Sequence, residues 1–383
     1  MPLTLRKIKQ ILDAKVLFGE NMLDKEVGST AAVAKQLDLP VVLVVNARSI
    51  TRSAAAIVKG FQAFDPGVDI RGVILNQVTG TRHREKAVRA IEHYCGIPVI
   101  GAIPRTTEME LAMRHLGLVP YREGQGHEEF RERIEAVKRM IGEHVDLDAL
   151  LALAREVELP PEGSSIYATP GESDVRIGVA LDEAFNFYYA DLFDILASLG
   201  AEVVPFSPIH DRLPEADGYI LGGGYPELFG AELEANTAVR EGLLEASRNG
   251  TPVYAECGGL IYLTDRMVLA PEFAGSKREE TYELAGVFAG EARMPERRML
   301  GYVVGTSAAG TPMGEAAFRG HEFHYSSVRL APETRYAYRL TRGSGIGDGN
   351  DGAVRDRTIG SYTHLHPVTS RVMLGHFVDC CRT

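Results

Sequence analysis

The chain is poor in cysteine, with four in 383 residues, at positions 95, 257, 380 and 381. That is too few, and too unevenly spaced, for a disulfide framework or a zinc site, so each thiol has to be judged by its surroundings. No run of about 18 apolar residues occurs, which excludes a hydrophobic membrane-spanning helix. The opening MPLTLRKIKQ also lacks the apolar stretch of a signal peptide, and a cytoplasmic location is expected. Positive charge is in deficit: a formal net charge of −11 argues against nucleic acid or an anionic membrane as the main partner, while leaving room for a local basic pocket. Nowhere does the pattern G-x-x-x-x-G-K-[ST] occur, the loop whose amides and lysine hold the phosphates of a nucleotide. Internal repeats and low-complexity stretches are missing as well.

What is there is an ordinary globular composition, 45% apolar and 24% charged, in a chain long enough for two domains. Two stretches alternate short apolar strands with helical segments, the sign of parallel sheets covered on both faces. The expected fold class is therefore α/β, with two domains that are each a largely parallel sheet flanked by helices. The first covers 1–145, with strands at Val41 to Val45, Gly72 to Leu75 and Val99 to Gly101, and helices at Ser53 to Phe64 and His83 to Tyr94. Residues 146–173 form a linker, a short helix followed by the Pro, Gly and Ser-rich PPEGSSIYATPGESD. The second domain, 174–383, begins with RIGVAL; then FNFYYADLFDILASLGAEVVPF reads as helix, glycine stop and strand. Further strands are expected at Gly218 to Leu221, Pro252 to Ala255, Gly301 to Val304 and Gly360 to Thr363.

The segment TPVYAECGGLIYL places a thiol, Cys257, at the corner between two apolar runs. A residue at a tight strand-to-helix turn has its side chain pushed above the sheet edge while backbone N–H groups point into the same space. Cys257 is thus a candidate nucleophile, and the alternative is a structural cysteine beside a turn. Two other segments supply what acyl transfer needs. LGGGYPE follows a strand directly and could present an oxyanion hole. SYTHLHPVTS offers His364 or His366 as a base for the thiol. A His-x-His pair is also a metal pattern, and His321 and His324 in RGHEFHYS keep that option open, although no third ligand at fitting spacing is evident.

Glycines after one strand, a cysteine elbow after the next and a histidine about a hundred residues later resemble the class I glutamine amidotransferases. Read in order, AFNFYYADLFDILASLGAEVVPFSPIHDRLP, LGGGYPELF, YAECGGLIYL, RGHEFHYS and SYTHLHPVTS resemble the amidotransferase domain of the cobyrinic acid a,c-diamide synthase family. In the first domain GSTAAVAKQLDLPVVLVVNARSITRSAAAIVKGFQAFDP, RGVILNQV and RHLGLVP are similar to that family's ATP-dependent synthetase domain. The resemblance implies a P-loop, dethiobiotin-synthetase-like domain joined to a flavodoxin-like amidotransferase domain. It implies a carbon–nitrogen ligase that takes ammonia from glutamine and, with ATP and Mg²⁺, amidates the a and c carboxylates of a cobyrinate-type tetrapyrrole. Relatives act on hydrogenobyrinate, nickel sirohydrochlorin or sirohaem-like tetrapyrroles.

Residue by residue, the resemblance makes Cys257 the nucleophile that forms a glutamyl thioester and His364 the base. Main-chain N–H groups of Gly224 and Gly258 form the oxyanion hole. Where many such enzymes carry a glutamate two residues after the histidine, this chain has His366, so the orienting partner is left open. Asn76 would read the adenine edge, and Ser29, Thr30 and Arg48 would contact phosphate or substrate. A turn-forming role for Asn76 is the alternative. No residue is assigned to a metal; Asp13, Glu20 and Asp24 read as an exposed charged face.

Against the family pattern, the glycine-rich phosphate loop is not found, and the acidic-glycine segment after it is altered to ILDAKVLFGENMLDKEVGSTA. The expectation is an N-terminally shortened synthetase half, or a loop supplied by a separate polypeptide, with weak ATP binding and an impaired synthetase step; a homodimer is a further possibility. Two other functions compete: a non-catalytic corrinoid-binding protein, and a cysteine hydrolase built on the same elbow. The intact Gly-Gly-Gly, Cys and His segments count against the first. The synthetase-like domain, which a free-standing hydrolase does not need, counts against the second.

Overall fold

A computed structural model describes residues 30–106, 128–154, 173–274, 277–296 and 298–383. Asp13, Glu20, Asp24, Ser29 and the segment RHLGLVP lie outside these. The chain divides into two units, residues 1–164 and 165–383.

In the first unit, β-branched runs form three parallel strands, β1 (Val41–Asn46), β2 (Ile70–Val78) and β3 (Val99–Pro104), in spatial order β1-β2-β3. Helix α1 (Thr30–Gln36) precedes them. The crossovers are α2 (Arg52–Phe64) and α3 (Thr81–Cys95), followed by α4 (Glu128–His144) and α5 (Leu147–Leu153). Helix α2 buries Ala54, Ala55 and Val58, and α3 buries Ala87, Ala90, Ile91 and Cys95, in each case one stripe at helical spacing turned toward the sheet. Helix α3 stops at Gly96, which takes the left-handed conformation (φ 70°) that glycine adopts without strain. The Cys95 thiol donates to the Ala55 carbonyl at 3.3 Å inside this core.

The second unit contains β4 (Val175–Ala180), β5 (Phe185–Phe187), α6 (Asp191–Ser198), β6 (Ala201–Phe206), β7 (Gly218–Leu221), β8 (Gly223–Gly224), α7 (Gly230–Ala235), α8 (Thr237–Arg248), β9 (Val253–Glu256) and α9 (Gly258–Tyr262). There follow β10 (Thr264–Leu269), β11 (Glu280–Glu283), β12 (Phe288–Met294), β13 (Met299–Ser307), β14 (Ala316–His324), β15 (Ser327–Leu330), β16 (Arg335–Arg342), β17 (Asn350–Arg355), β18 (Thr358–Ser361), β19 (His364–Leu365) and α10 (Arg371–Cys381). One ten-stranded sheet runs β19-β14-β13-β16-β17-β18-β9-β7-β4-β6. Its β18-β9-β7-β4-β6 half is parallel. The other half is antiparallel, an extension that the short strands read from the sequence did not reveal. Parallel strands buried on both faces read as continuous apolar runs, as IGVA, GYIL and VYA do. Two apolar clusters cover the two faces, one built around Phe185, Leu260 and Tyr262, the other around Ile177, Ile220 and Phe377.

The stretch FNFYYADLFDILASLG departs from the helix expected of it. Only Asp191–Ser198 is helical, while Phe185–Phe187 pairs with β8, Phe185 opposite Gly224. The Asn186 amide donates to the Glu183 carbonyl at 2.9 Å, and Asp182 accepts from the N–H groups of Ala184 and Phe185, fixing a turn where a helix would otherwise begin. Among the described residues no helix is long and apolar enough to cross a membrane.

Candidate active site

Strand β9 lies between β18 and β7, parallel to both, and its carboxyl end is where an α/β sheet commonly places ligands. There the chain turns through Cys257 into α9. Cys257 has φ 47° and ψ −98°, a left-handed conformation costly for any residue with a Cβ, and the surroundings hold it. Its N–H donates to the Ser361 carbonyl at 2.7 Å, and the Gly259 N–H donates to the Gly222 carbonyl at 3.0 Å. Both following glycines are needed for close approach. A Cβ on Gly258 would stand 3.0 Å from the Gly224 nitrogen, and one on Gly259 would collide with the Leu221 carbonyl oxygen. The corner is a strained strand-to-helix elbow, with the 7%-exposed thiol 3.9 Å from the Phe323 carbonyl oxygen.

The three glycines after β7 each meet a different neighbour. Gly222 lies against the Tyr188 ring and donates its N–H to the Tyr188 hydroxyl at 2.7 Å; that hydroxyl in turn donates to the Ala180 carbonyl. A Cβ on Gly223 would stand 2.5 Å from Cε1 of His364, and one on Gly224 would run into the Ala184 carbonyl. The backbones of Gly224 and Gly258 are thus brought together beside Cys257, as an oxyanion hole requires.

His364 opens β19 and is buried. The two residues before it are fastened by the fully buried Asp351, whose carboxylate accepts the N–H groups of Tyr362 (2.9 Å) and Thr363 (3.0 Å) and the Thr363 hydroxyl (2.7 Å). Its imidazole lies within electrostatic reach of the Cys257 thiol and faces Glu256, with Nδ1 3.4 Å from Oε2. That is an ion-pair distance, longer than a well-formed charged hydrogen bond. Burial pulls the His364 pKa down, but the Cys257 thiol and the Glu256 carboxylate outweigh it and hold the imidazole up, to about 10. Glu256 is positioned in turn: Oε1 accepts the Leu365 N–H at 3.0 Å and the Tyr254 hydroxyl.

Of the residues singled out in the sequence, Cys257, His364, Gly224 and Gly258 come together here. His366 does not join them, because its ring packs on Tyr189 with centroids 4.4 Å apart. His321 stacks on His364, while His324 stacks on Tyr362 at 3.7 Å and directs Nδ1 to the Ser326 carbonyl at 2.9 Å. Among the described residues no group of three or more His, Cys, Asp or Glu is placed to hold a metal ion. Glu256 went unread in the sequence because a charged residue at the end of a strand has no distinguishing pattern. Its place directly before the cysteine was the available signal.

In the first unit Asn76 sits near the end of β2, in register with Asn46 of β1. Its amide oxygen accepts the Gln77 N–H at 2.9 Å, and Gln77 takes φ 62°, so this side chain is engaged in a turn. Arg48 is exposed, with its N–H on Asn46 Oδ1 at 3.0 Å, and Thr30 begins the seven-residue α1. These strand ends are where an α/β sheet binds ligands, but the described residues build no glycine-rich cradle for a triphosphate. No step is derived through a nucleotide.

Residues 176–371 match the family model of the CobB/CobQ-like glutamine amidotransferase domain, and residues 23–112 match an AAA domain model. The chain is 47% identical over 370 residues to cobyrinate a,c-diamide synthase of Methanosarcina acetivorans, covering 92% of this chain and 74% of that one. It is 46% identical over 373 residues to the synthase of Methanosarcina barkeri, covering 93% and 76%. With the synthase of Methanothermobacter thermautotrophicus it shares 43% identity over 357 residues, covering 92% and 76%.

Proposed function

The chain belongs to the cobyrinate a,c-diamide synthase family of glutamine-dependent ligases, and from that premise we propose that its second unit releases ammonia from glutamine at Cys257 for amidation of the a and c carboxylates of a cobyrinate-type corrinoid. The observation that carries this reading is the positive-φ elbow that sets Cys257 beside Gly224 and Gly258, with the buried His364 ring against Gly223 next to it.

The chemistry follows from those positions. The Cys257 thiol passes its proton to His364, and sulfur attacks the side-chain carbonyl carbon of glutamine. Negative charge gathers on the carbonyl oxygen, where the N–H groups of Gly224 and Gly258 stabilise it. His364 then gives its proton to the departing nitrogen; the C–N bond breaks, ammonia leaves and a glutamyl thioester remains. Water, deprotonated by His364, splits the thioester to glutamate and restores the thiol. Activation of the acceptor carboxylates with ATP and Mg²⁺ is part of the family reading. The AAA domain match supports it, and no described residue is given a role in it.

The test is glutamate release from glutamine by the full chain. Cys257→Ala is expected to abolish it, a loss on the order of 10³-fold or more, and turnover retained in that variant would overturn the reading. Formation of corrinoid amide from cobyrinate with ammonium salt and Mg-ATP tests the acceptor half separately.

A further inference from the structure

The imidazole of His364 is held by two consecutive residues. Along a regular strand, neighbouring side chains leave on opposite faces. Here the left-handed backbone of Cys257 breaks that alternation, so the Glu256 carboxylate and the Cys257 thiol both reach one ring. The Glu256 side chain is 14% exposed, and its oxygens are divided: Oε1 serves the Tyr254 hydroxyl and the Leu365 N–H, and Oε2 is turned to Nδ1 of His364. Leu365 follows His364 directly, so one carboxylate fixes both the ring and the backbone beside it.

The other candidates for this place are engaged elsewhere. His366 lies on Tyr189. Asp351 is taken up by Tyr362 and Thr363. The titratable groups facing His364 are Glu256 from β9, Cys257 from the elbow and His321 from β14, with His324, His366 and Tyr189 beyond.

We propose that Glu256 is the positioning residue of this site: its carboxylate accepts the Nδ1–H of His364 and fixes the tautomer that leaves Nε2 to the thiol. The proposal rests on the reading of Cys257 and His364 as the glutaminase pair. The carboxylate also stabilises the imidazolium that forms when the thiol gives up its proton, as a buried acid does behind a catalytic histidine. The upward displacement of the His364 pKa agrees with this.

The experiment compares glutaminase kinetics of the full chain with those of Glu256→Gln, Glu256→Asp and Cys257→Ala across pH. Glu256→Gln keeps an oxygen for Tyr254 and Leu365 but offers no charge. It is expected to lower kcat by about 10² to 10⁴-fold with KM nearly unchanged, and to move the alkaline limb of kcat to lower pH. Glu256→Asp is expected to return that limb toward the wild-type position even if the rate stays low. A Glu256→Gln chain with wild-type kcat and an unmoved limb overturns the proposal. So does a rate loss with an unmoved limb, which marks a structural role only. Cys257→Ala separates the two levels: full turnover there sinks the glutaminase reading itself, whereas lost turnover there beside an unaffected Glu256→Gln sinks only the role of Glu256. Should Glu256→Gln fail to fold, the ring proton of His364 in Cys257→Ser carries the test. A far-downfield Nδ1–H resonance supports the proposal, and an Nε2–H tautomer contradicts it.

Discussion

His321 lies flat on His364, with ring centroids 4.9 Å apart and planes at 13°. The two are register partners on β14 and β19, so antiparallel pairing sets the stack. Their surroundings drive them in opposite directions from the ordinary value of 6.5. Burial, reinforced by the charge of His364, lowers His321 to about 4. His364 is raised to about 10, because the Cys257 thiol and the Glu256 carboxylate outweigh its own burial. Because His321 stays neutral through the neutral range, it does not repel the proton that His364 takes from the thiol.

A two-sided pH profile of stability follows. The folded pKa of His321 lies below 6.5, so the unfolded chain takes up a proton that the native one refuses. Its contribution is present above pH 6.5 and is lost as pH falls toward 4. The folded pKa of His364 lies above 6.5, so its contribution is present below that pH and is lost as pH rises toward 10. Thermal unfolding followed from acid to alkaline pH should show both flanks, and His321→Phe should flatten the acid flank while leaving the alkaline one. An acid flank unaltered by that substitution would contradict the assignment.

Gly223→Ala is expected to silence the site without unfolding the protein. The added methyl would stand 2.5 Å from Cε1 of His364, and its next neighbours are His364 Nδ1 and Phe187 Cβ at 3.4 Å. A shift of the imidazole is the cheapest relief, and a displacement near 1 Å at a catalytic group costs on the order of 10²-fold. Cys257 is untouched by the substitution. The prediction is that glutamate release falls about 100-fold while the melting temperature stays close to that of the parent chain; glutaminase activity within a few-fold of the parent would refute it.

How legible this was depended on the kind of signal. GYIL and the IGVA of RIGVAL were readable as buried parallel strands because every position is apolar, VVLVV as a parallel strand although Val44 stays exposed, and Cys257 because glycines follow it at a strand end. The antiparallel half of the large sheet was not readable: β14, β16 and β17 carry Arg319, Arg339, Asn350 and other polar residues on one face, and their pairing depends on partners far along the chain. LGGG announced a permissive loop. That its members separately make room for Tyr188, His364 and the Ala184 carbonyl could be seen only once β5, β8 and β19 were in place. Glu256 was hidden for the same reason, since its meaning depends on His364, more than a hundred residues later. Asn76 is consistent with its turn-forming alternative, since its amide oxygen accepts the Gln77 N–H.

Asp351 is the remaining lever on the histidine. It is fully buried, and burial holds its carboxyl above the usual range although Thr363 and the N–H groups around it pull the other way. Its three bonds to Tyr362 and Thr363 determine where the next residue, His364, meets Cys257. Asp351→Asn preserves the size but sets an amide NH₂ against at least one of the three donors that need an acceptor, leaving at least one buried group unsatisfied at a cost of about 1–3 kcal/mol. The variant should therefore unfold at lower denaturant concentration with an unchanged slope and also lose glutaminase activity, because the loop carrying His364 is no longer fixed. Equilibrium urea titration read beside glutamate release checks both, and a destabilised chain with full activity would show that the anchor supports the fold without setting the position of His364.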